Sequence, residues 1–304
     1  MIVIAHRGAS AYRPEHTLAS YALAIALGAD FIEPDLVATA DGVLVARHEN
    51  DITQTTDVAR RPEFADRRAR KTIDGREHDG WFTEDLTLAE LRTLRATERI
   101  PELRPANAAF DGAFAIPTLE EVIDLARRTH VGIYPETKHP AYFRSLGLAL
   151  EEPLAAALRR SALDRRDAPV FLQSFDPDSL RRLAELVDAP RVQLTAPSLP
   201  PLALDDVAGY AQAIGPEKSQ VGPAFAGDAH RAGLHVHAWA FRPENAFLPA
   251  ELQAGDPDHP DHGRARGDTA AELRRFLELG VDGVFADHPD TAVAVREASA
   301  RGRS

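Results

Sequence analysis

Short apolar runs alternate with amphipathic stretches along most of this chain. Ile2-Val3-Ile4-Ala5 is a four-residue apolar run bounded by polar positions, which predicts a buried strand. Residues 14–28 (PEHTLASYALAIALG) predict a helix, with proline at its start and glycine at its stop. Further strands are predicted over 31–37, 43–46, 131–135, 170–173, 191–195, 210–214, 234–239 and 283–286. Helices are predicted over 117–128, 142–161, 177–187, 225–232, 269–280 and 291–298. The 43–46 run follows the turn signal Asp41-Gly42, and eight main strands remain, most of them followed by a helix. Parallel strands need such crossovers, and eight of them define a (β/α)8 TIM barrel. The rival architecture, an open doubly wound sheet, lacks its Gly-x-Gly-x-x-Gly signature after any strand.

One stretch breaks the rhythm. Residues 49–116 are polar and rich in Arg, Asp, Glu and Pro, and read as an insertion after the second strand region. Thr87 and Glu90 have capping-box spacing, so the insertion should hold a short helix. The expected organisation is a barrel of residues 1–48 and 117–300, an insertion of 49–116 and a tail of 301–304. A second polar stretch, 242–268, is expected to be a loop. No repeat of fixed period stands out.

Composition narrows the chemistry. With 35 basic and 47 acidic residues the net charge is −12, which argues against nucleic-acid or anionic-membrane binding. The absence of cysteine removes disulfides, thiolate metal sites and thiol nucleophiles. No apolar run approaches the ~18 residues of a membrane span. The N-terminus shows no secretory leader, so the expected location is cytoplasmic as the sequence stands, and periplasmic or secreted if a leader was removed. The oligomeric state is not legible. Only Lys71, Lys138 and Lys218 are lysines, so a lysine at a strand end stands out against the arginine background.

Barrel chemistry sits at the C-terminal ends of the strands, and reactive side chains recur there. His6-Arg7-Gly8 follows strand one, Glu33 and Asp35 share a face at the end of strand two, and His48 follows the 43–46 run. Glu136 and Lys138 end strand three, Gln173 and Phe175 end strand four, His237 and Trp239 end strand seven, and Asp287 and His288 follow strand eight. Three converging carboxylates raise each other's pKa unless a cation joins them. An all-oxygen set suits Mg2+ or Ca2+ rather than zinc. His237 reads as a packing residue or as a support behind the site residues. His16, His78, His130, His139, His230, His259 and His262 read as surface or capping residues. Carboxylates, a metal, flanking Arg and Lys and two histidines suit a phosphate ester, although a sugar isomerase or an enolising barrel could use the same set.

The ordered motifs make the resemblance specific. His6-Arg7-Gly8-Ala9-Ser10, Pro14-Glu15-His16-Thr17, Ile32-Glu33-Pro34-Asp35-Leu36, Val45-Ala46-Arg47-His48 and Thr55-Thr56-Asp57-Val58 resemble the glycerophosphodiester phosphodiesterase family. The likeness continues through Tyr134-Pro135-Glu136-Thr137-Lys138, Leu172-Gln173-Ser174-Phe175-Asp176, Ile214-Gly215-Pro216 and Val284-Phe285-Ala286-Asp287-His288-Pro289. The insertion, with Phe64-Ala65-Asp66-Arg67, looks most like the periplasmic, calcium-associated bacterial branch. The resemblance implies hydrolysis of glycerophosphodiesters to an alcohol and sn-glycerol 3-phosphate. It implies His6 and His48 as the acid/base pair and Glu33, Asp35 and Glu136 as ligands of one divalent cation. Arg7 and Lys138 would lie near the phosphate, Phe175 and Trp239 at the glycerol or alcohol end, with Gln173 among the substrate contacts and Glu15 at the same mouth. Glu49 stands where the pattern usually has Asp. Direct attack by water and initial attack by the glycerol 2-hydroxyl both remain open. So do a lysophospholipid target and, from another class, a non-catalytic phosphodiester-binding protein.

Overall fold

The structure is a computed structural model that describes residues 1–301. Residues 302–304 of the expected tail lie outside the described residues, and Arg301 ends the last helix, Pro289–Arg301.

Eight parallel strands close into a barrel. Strand one is Ile2–His6, strand two Phe31–Glu33 and Asp35–Ala38, strand three Gly132–Ile133 and Glu136–Thr137, and strand four Leu172–Ser174. Strand five is Arg191–Thr195, strand six Ala213–Pro216, strand seven His235–Phe241 and strand eight Gly283–Ala286. Strand eight pairs with strand one, which pairs with strand two, so the ladder returns to its start. Leu44–Ala46 adds an antiparallel partner to the second half of strand two. Inside the barrel Ile4, Tyr134, Val192, Ala213 and Phe285 pack together, a core of apolar residues drawn from five of the eight strands. Among the described residues no helix is long and apolar enough to cross a membrane.

The pattern of strands is as expected, and the departures have local causes. Strands two and three are each divided at a proline, Pro34 and Pro135, which has no N–H for the ladder. The helix expected over 14–28 is Leu18–Ala26, because Thr17 caps it by accepting the Ser20 N–H at 3.1 Å. Pro14, Glu15 and His16 form the turn before it, with His16 at φ 55°. The helix expected over 142–161 is two, Pro140–Ser145 and Glu151–Arg160, separated around Gly147 at φ 73°. The strand expected at 210–214 lies later, at Ala213–Pro216.

Within 49–116 the capping box at Thr87 and Glu90 forms and starts the helix Leu88–Leu91. The same stretch also holds a hairpin that the hydrophobic pattern missed, Ala69–Ile73 against Arg76–Gly80. Its turn is Asp74-Gly75, both at positive φ, the geometry Asp-Gly favours. Charged and polar residues make up most of both strands, with Ile73 their one large apolar side chain, so no apolar alternation announced them.

Candidate active site

The barrel register sets the reactive residues side by side. His6 lies opposite Glu33, Asp35 opposite Glu136, and Glu136 opposite Gln173. Adjacent parallel strands thus deliver their side chains to one height at the C-terminal mouth. There they line a cavity of about 80 Å³ with Arg7, His48, Lys138, Phe175 and Trp239. A larger groove of about 720 Å³ lies between residues 103–107 and the loop of 244–266, and it holds none of the predicted site residues.

Arg7 and Gly8 turn the chain sharply after strand one, at φ 60° and 87°. This turn lets the Arg7 N–H donate to Glu33 Oε2 at 2.8 Å. A Cβ on Gly8 would lie 2.4 Å from Ser20 Oγ and 2.7 Å from the Ser20 carbonyl carbon. Gly8→Ala is therefore expected to cost about 2–4 kcal/mol in denaturant melts, from the left-handed backbone and the clash together. It should also lower turnover by displacing Arg7. A variant of wild-type stability would refute this account of the turn.

Glu33, Asp35 and Glu136 are all buried and each offers an oxygen within 4.8 Å of the others. Burial, then Asp35 and Glu136, push Glu33 well above the usual carboxylate range. Burial, with Asp35 adding to it against the pull of Lys138, pushes Glu136 up to about 8. Burial would raise Asp35 too, but Lys138 and His16 outweigh it and hold it well below the usual range. Two of three clustered carboxylates thus resist ionising, and a cation among them removes that resistance. Their donors are all oxygen, their positions are fixed by strands, and a hard divalent ion fits the set. Gln173 Nε2 donates to Glu33 Oε1 at 2.9 Å, and Lys138 Nζ to Glu136 Oε1 at 2.8 Å.

Each of the two histidines has a carboxylate behind it. His6 Nδ1 meets Asp287 Oδ1 at 2.6 Å, and His48 Nδ1 meets Glu49 Oε2. A carboxylate can only accept, so Nδ1 carries the hydrogen and Nε2 is left for a substrate. Burial and then Arg7 lower His6 to about 4 and His48 to about 3, so both rings are neutral at pH 7.

Several partners were not foreseen. His16, expected at the surface or as a cap, is fully buried and bridges Tyr21 Oη at 2.8 Å to Asp35 Oδ2 at 2.9 Å. Its turn conformation points the ring inward, and Arg47, also fully buried, fixes that turn by donating to the Glu15 and His16 carbonyls. Glu15, expected at the same mouth as the substrate contacts, is buried beside the cavity and committed to Arg7 at 2.9 Å and Arg99 at 2.6 Å. Asp287 was visible after strand eight but had no role; it binds His6, Arg104 at 2.6 Å and Arg242 at 3.2 Å. Three of these arginines come from loops, where no local pattern marks them. At the other end of the cavity Phe175 and Trp239 meet edge to face, their centroids 5.7 Å apart.

His237 is outside the cavity, as expected of a packing residue, and its Nδ1 meets Tyr134 Oη at 2.6 Å. Burial pushes it down to about 3, below the ordinary 6.5 it regains on unfolding. Its neutral ring therefore supports the fold fully above pH 6.5, and that support is lost as pH falls towards 3. At the steepest this is about 1.4 kcal/mol per pH unit. His237→Gln should flatten the acid side of the stability curve, read from melts at pH 6.5, 5.5 and 4.5. An unchanged slope would show that His237 does not govern it.

A barrel whose mouth presents buried carboxylates, two cations and two carboxylate-backed histidines has the equipment of a phosphoric ester hydrolase. The chain belongs to the glycerophosphoryl diester phosphodiesterase family, whose model matches residues 6–291. It is 32% identical over 323 residues to a glycerophosphodiester phosphodiesterase of Arabidopsis thaliana, covering 93% of this chain and 82% of that one. It is 30% identical over 300 residues to a glycerophosphodiester phosphodiesterase of Bacillus subtilis, covering 95% and 84%. Its fold matches an Oleispira antarctica phosphodiesterase solved in complex with the product sn-glycerol-3-phosphate, with a TM-score of 0.69, 22% identity and coverage of 98% and 97%. The chain is a glycerophosphodiester phosphodiesterase, a phosphoric diester hydrolase.

Proposed function

We propose that the protein hydrolyses soluble glycerophosphodiesters, such as glycerophosphocholine and glycerophosphoethanolamine, to an alcohol and sn-glycerol 3-phosphate, with His6 and His48 as the acid/base pair. The observation that carries this reading is the meeting of the carboxylate trio, Arg7, Lys138 and both histidines in one cavity. Glu33, Asp35 and Glu136 would hold one divalent cation, Ca2+ or Mg2+, which when bound supplies Lewis-acid neutralisation of the phosphoryl oxygens. Arg7 and Lys138 add positive charge beside those oxygens. The edge-to-face pair of Phe175 and Trp239 offers an apolar wall to the glycerol carbons. One neutral imidazole removes the proton of the attacking hydroxyl with its Nε2; the other takes up a proton in the substrate complex, where the phosphodiester's negative charge offsets Arg7, and passes it from Nε2 to the departing alkoxide. The attacking group is water or the glycerol 2-hydroxyl.

The periplasmic, calcium-associated branch is the finer assignment we favour. It is supported by the sequence of the insertion, with Phe64-Ala65-Asp66-Arg67. The test is enzymatic release of glycerol 3-phosphate from glycerophosphocholine, with Ca2+, with Mg2+ and with chelator. Turnover with a cation and none with chelator is expected. Activity confined to micellar lysophospholipid would instead favour a lipid-headgroup target, and cation and substrate binding without turnover a binding protein.

A further inference from the structure

Arg99 and Arg104, five positions apart in the insertion, reach the two halves of the catalytic apparatus separately. Arg104 Nη2 lies 2.6 Å from Asp287 Oδ2, and the other oxygen of that carboxylate holds His6 Nδ1 at 2.6 Å. Arg99 Nη1 lies 2.7 Å from Glu49 Oε1, and the other oxygen of that carboxylate meets His48 Nδ1. Each chain runs arginine, carboxylate, imidazole, with the arginine on one carboxylate oxygen and the imidazole on the other; Arg242 Nε lies farther, 3.2 Å from the Asp287 oxygen that Arg104 holds. We infer that the insertion is a working part of the active site, in which Arg99 and Arg104 are positioning residues that orient the two proton-moving histidines through one carboxylate each. This inference rests on the function proposed above.

The geometry favours orientation over simple attachment. A carboxylate behind an imidazole fixes its tautomer and direction only if the carboxylate itself cannot rotate. Asp287 is 3% exposed and Arg104 7%, so water does not substitute for the guanidinium. Arg104 is itself held from both sides, its Nε donating to Glu244 Oε1 at 2.6 Å and its Nη1 to the Ser10 carbonyl at 3.2 Å. Ser10 Oγ in turn donates to the His6 carbonyl at 2.9 Å, so the insertion grips the backbone as well as the side-chain partner of His6. Arg99 has a second duty, its Nε and Nη2 donating to both oxygens of Glu15, which pairs with Arg7. Arg99 therefore bears on the phosphate-side cation as well as on His48, whereas Arg104 bears on His6 alone. A lysine could replace the charge at either position but not the planar fork that engages two carboxylates at once.

The test compares Arg104→Met, Arg104→Lys, Arg99→Met and Glu244→Gln with wild type on glycerophosphocholine at saturating cation. Arg104→Met should lower kcat about tenfold to a hundredfold with KM changed less than about threefold, a fraction of the ~10²–10⁴ that acid–base catalysis contributes. Arg104→Lys should recover part of that loss. Arg99→Met should lower kcat and raise KM. Glu244→Gln weakens the other anchor of Arg104 but leaves the Arg104–Asp287 pair, and should lose much less than Arg104→Met. Histidine side-chain nitrogen NMR gives a readout independent of turnover. Arg104→Met should mix the tautomers of His6 and leave His48 unchanged, and Arg99→Met should do the reverse. Both methionine variants folded, with unchanged ring signals and kcat within about twofold of an active wild type, would overturn the inference. Loss of kcat matched by Glu244→Gln and by the fraction unfolded would overturn it too. A wild type inactive on every glycerophosphodiester would overturn the function instead, and the NMR comparison would still decide the positioning.

Discussion

Glu136→Gln is expected to abolish glycerophosphodiester hydrolysis while making the metal-free protein more stable. The loss should exceed about 10³-fold in kcat/KM, roughly 4 kcal/mol of transition-state stabilisation, because the proposed cation would lose a ligand at the point where phosphoryl charge develops. The gain in stability follows from the electrostatics of the trio. Glu136 is raised to about 8 when folded, with burial as the largest cause, so in the native state its charge is unwelcome unless a cation is present. Its folded value lies above its unfolded one, so the contribution to stability is present at low pH and is lost as pH rises through about 8. In chelator, wild type should therefore melt higher at pH 6.5 than at pH 8.5, Glu136→Gln should reduce that difference, and added Ca2+ or Mg2+ should remove it from wild type alone. Calorimetric melts at the two pH values, with and without cation, check the sign. A wild type whose melting temperature ignores both cation and pH in this window would remove the trio as a metal site.

The second large effect concerns the histidines. His6→Ala and His48→Ala should each lower kcat by about 10²–10⁴ with little change in melting temperature. Their roles then separate by leaving group. A p-nitrophenyl ester of glycerol 3-phosphate departs without a proton, so the variant lacking the acid should regain most of its rate on that substrate. The variant lacking the base should not. Equal recovery of both would mean that the two rings do not divide acid and base work between them, and full activity of either on glycerophosphocholine would exclude that ring.

What the sequence made legible was local. A short apolar run followed at once by His-Arg-Gly, or by Glu-x-Asp, needs only the period of a strand and the rule that barrel chemistry follows strand ends. On that basis Glu33, Asp35, Glu136, His6, His48, Lys138 and Gln173 could be assigned to one mouth, and they meet there. What stayed hidden depends on contacts between distant segments. Arg104 and Asp287 are 183 residues apart, and nothing near either residue predicts the other. His16 was misread because its surroundings suggested the exposed start of a helix, whereas Thr17 begins that helix one residue later and a left-handed turn sends the imidazole inward. Glu15 drew attention through its motif, but its charge is consumed by two arginines, one of which no pattern marked. The hairpin of 69–80 was concealed for a different reason, since a ribbon of charged residues has no hydrophobic face to read.

The strand register has a consequence for how preparations of this enzyme should behave. His6 with Glu33, Asp35 with Glu136 and Glu136 with Gln173 are neighbours only because each ladder is in step with the next. A slip of one residue in any of these ladders would turn a ligand from the mouth to the opposite face. Misassembled chains would then be silent, with no weakly active intermediate class. Heterogeneous samples should differ in the number of working molecules and share one KM, so that counting active sites amounts to counting correctly closed barrels.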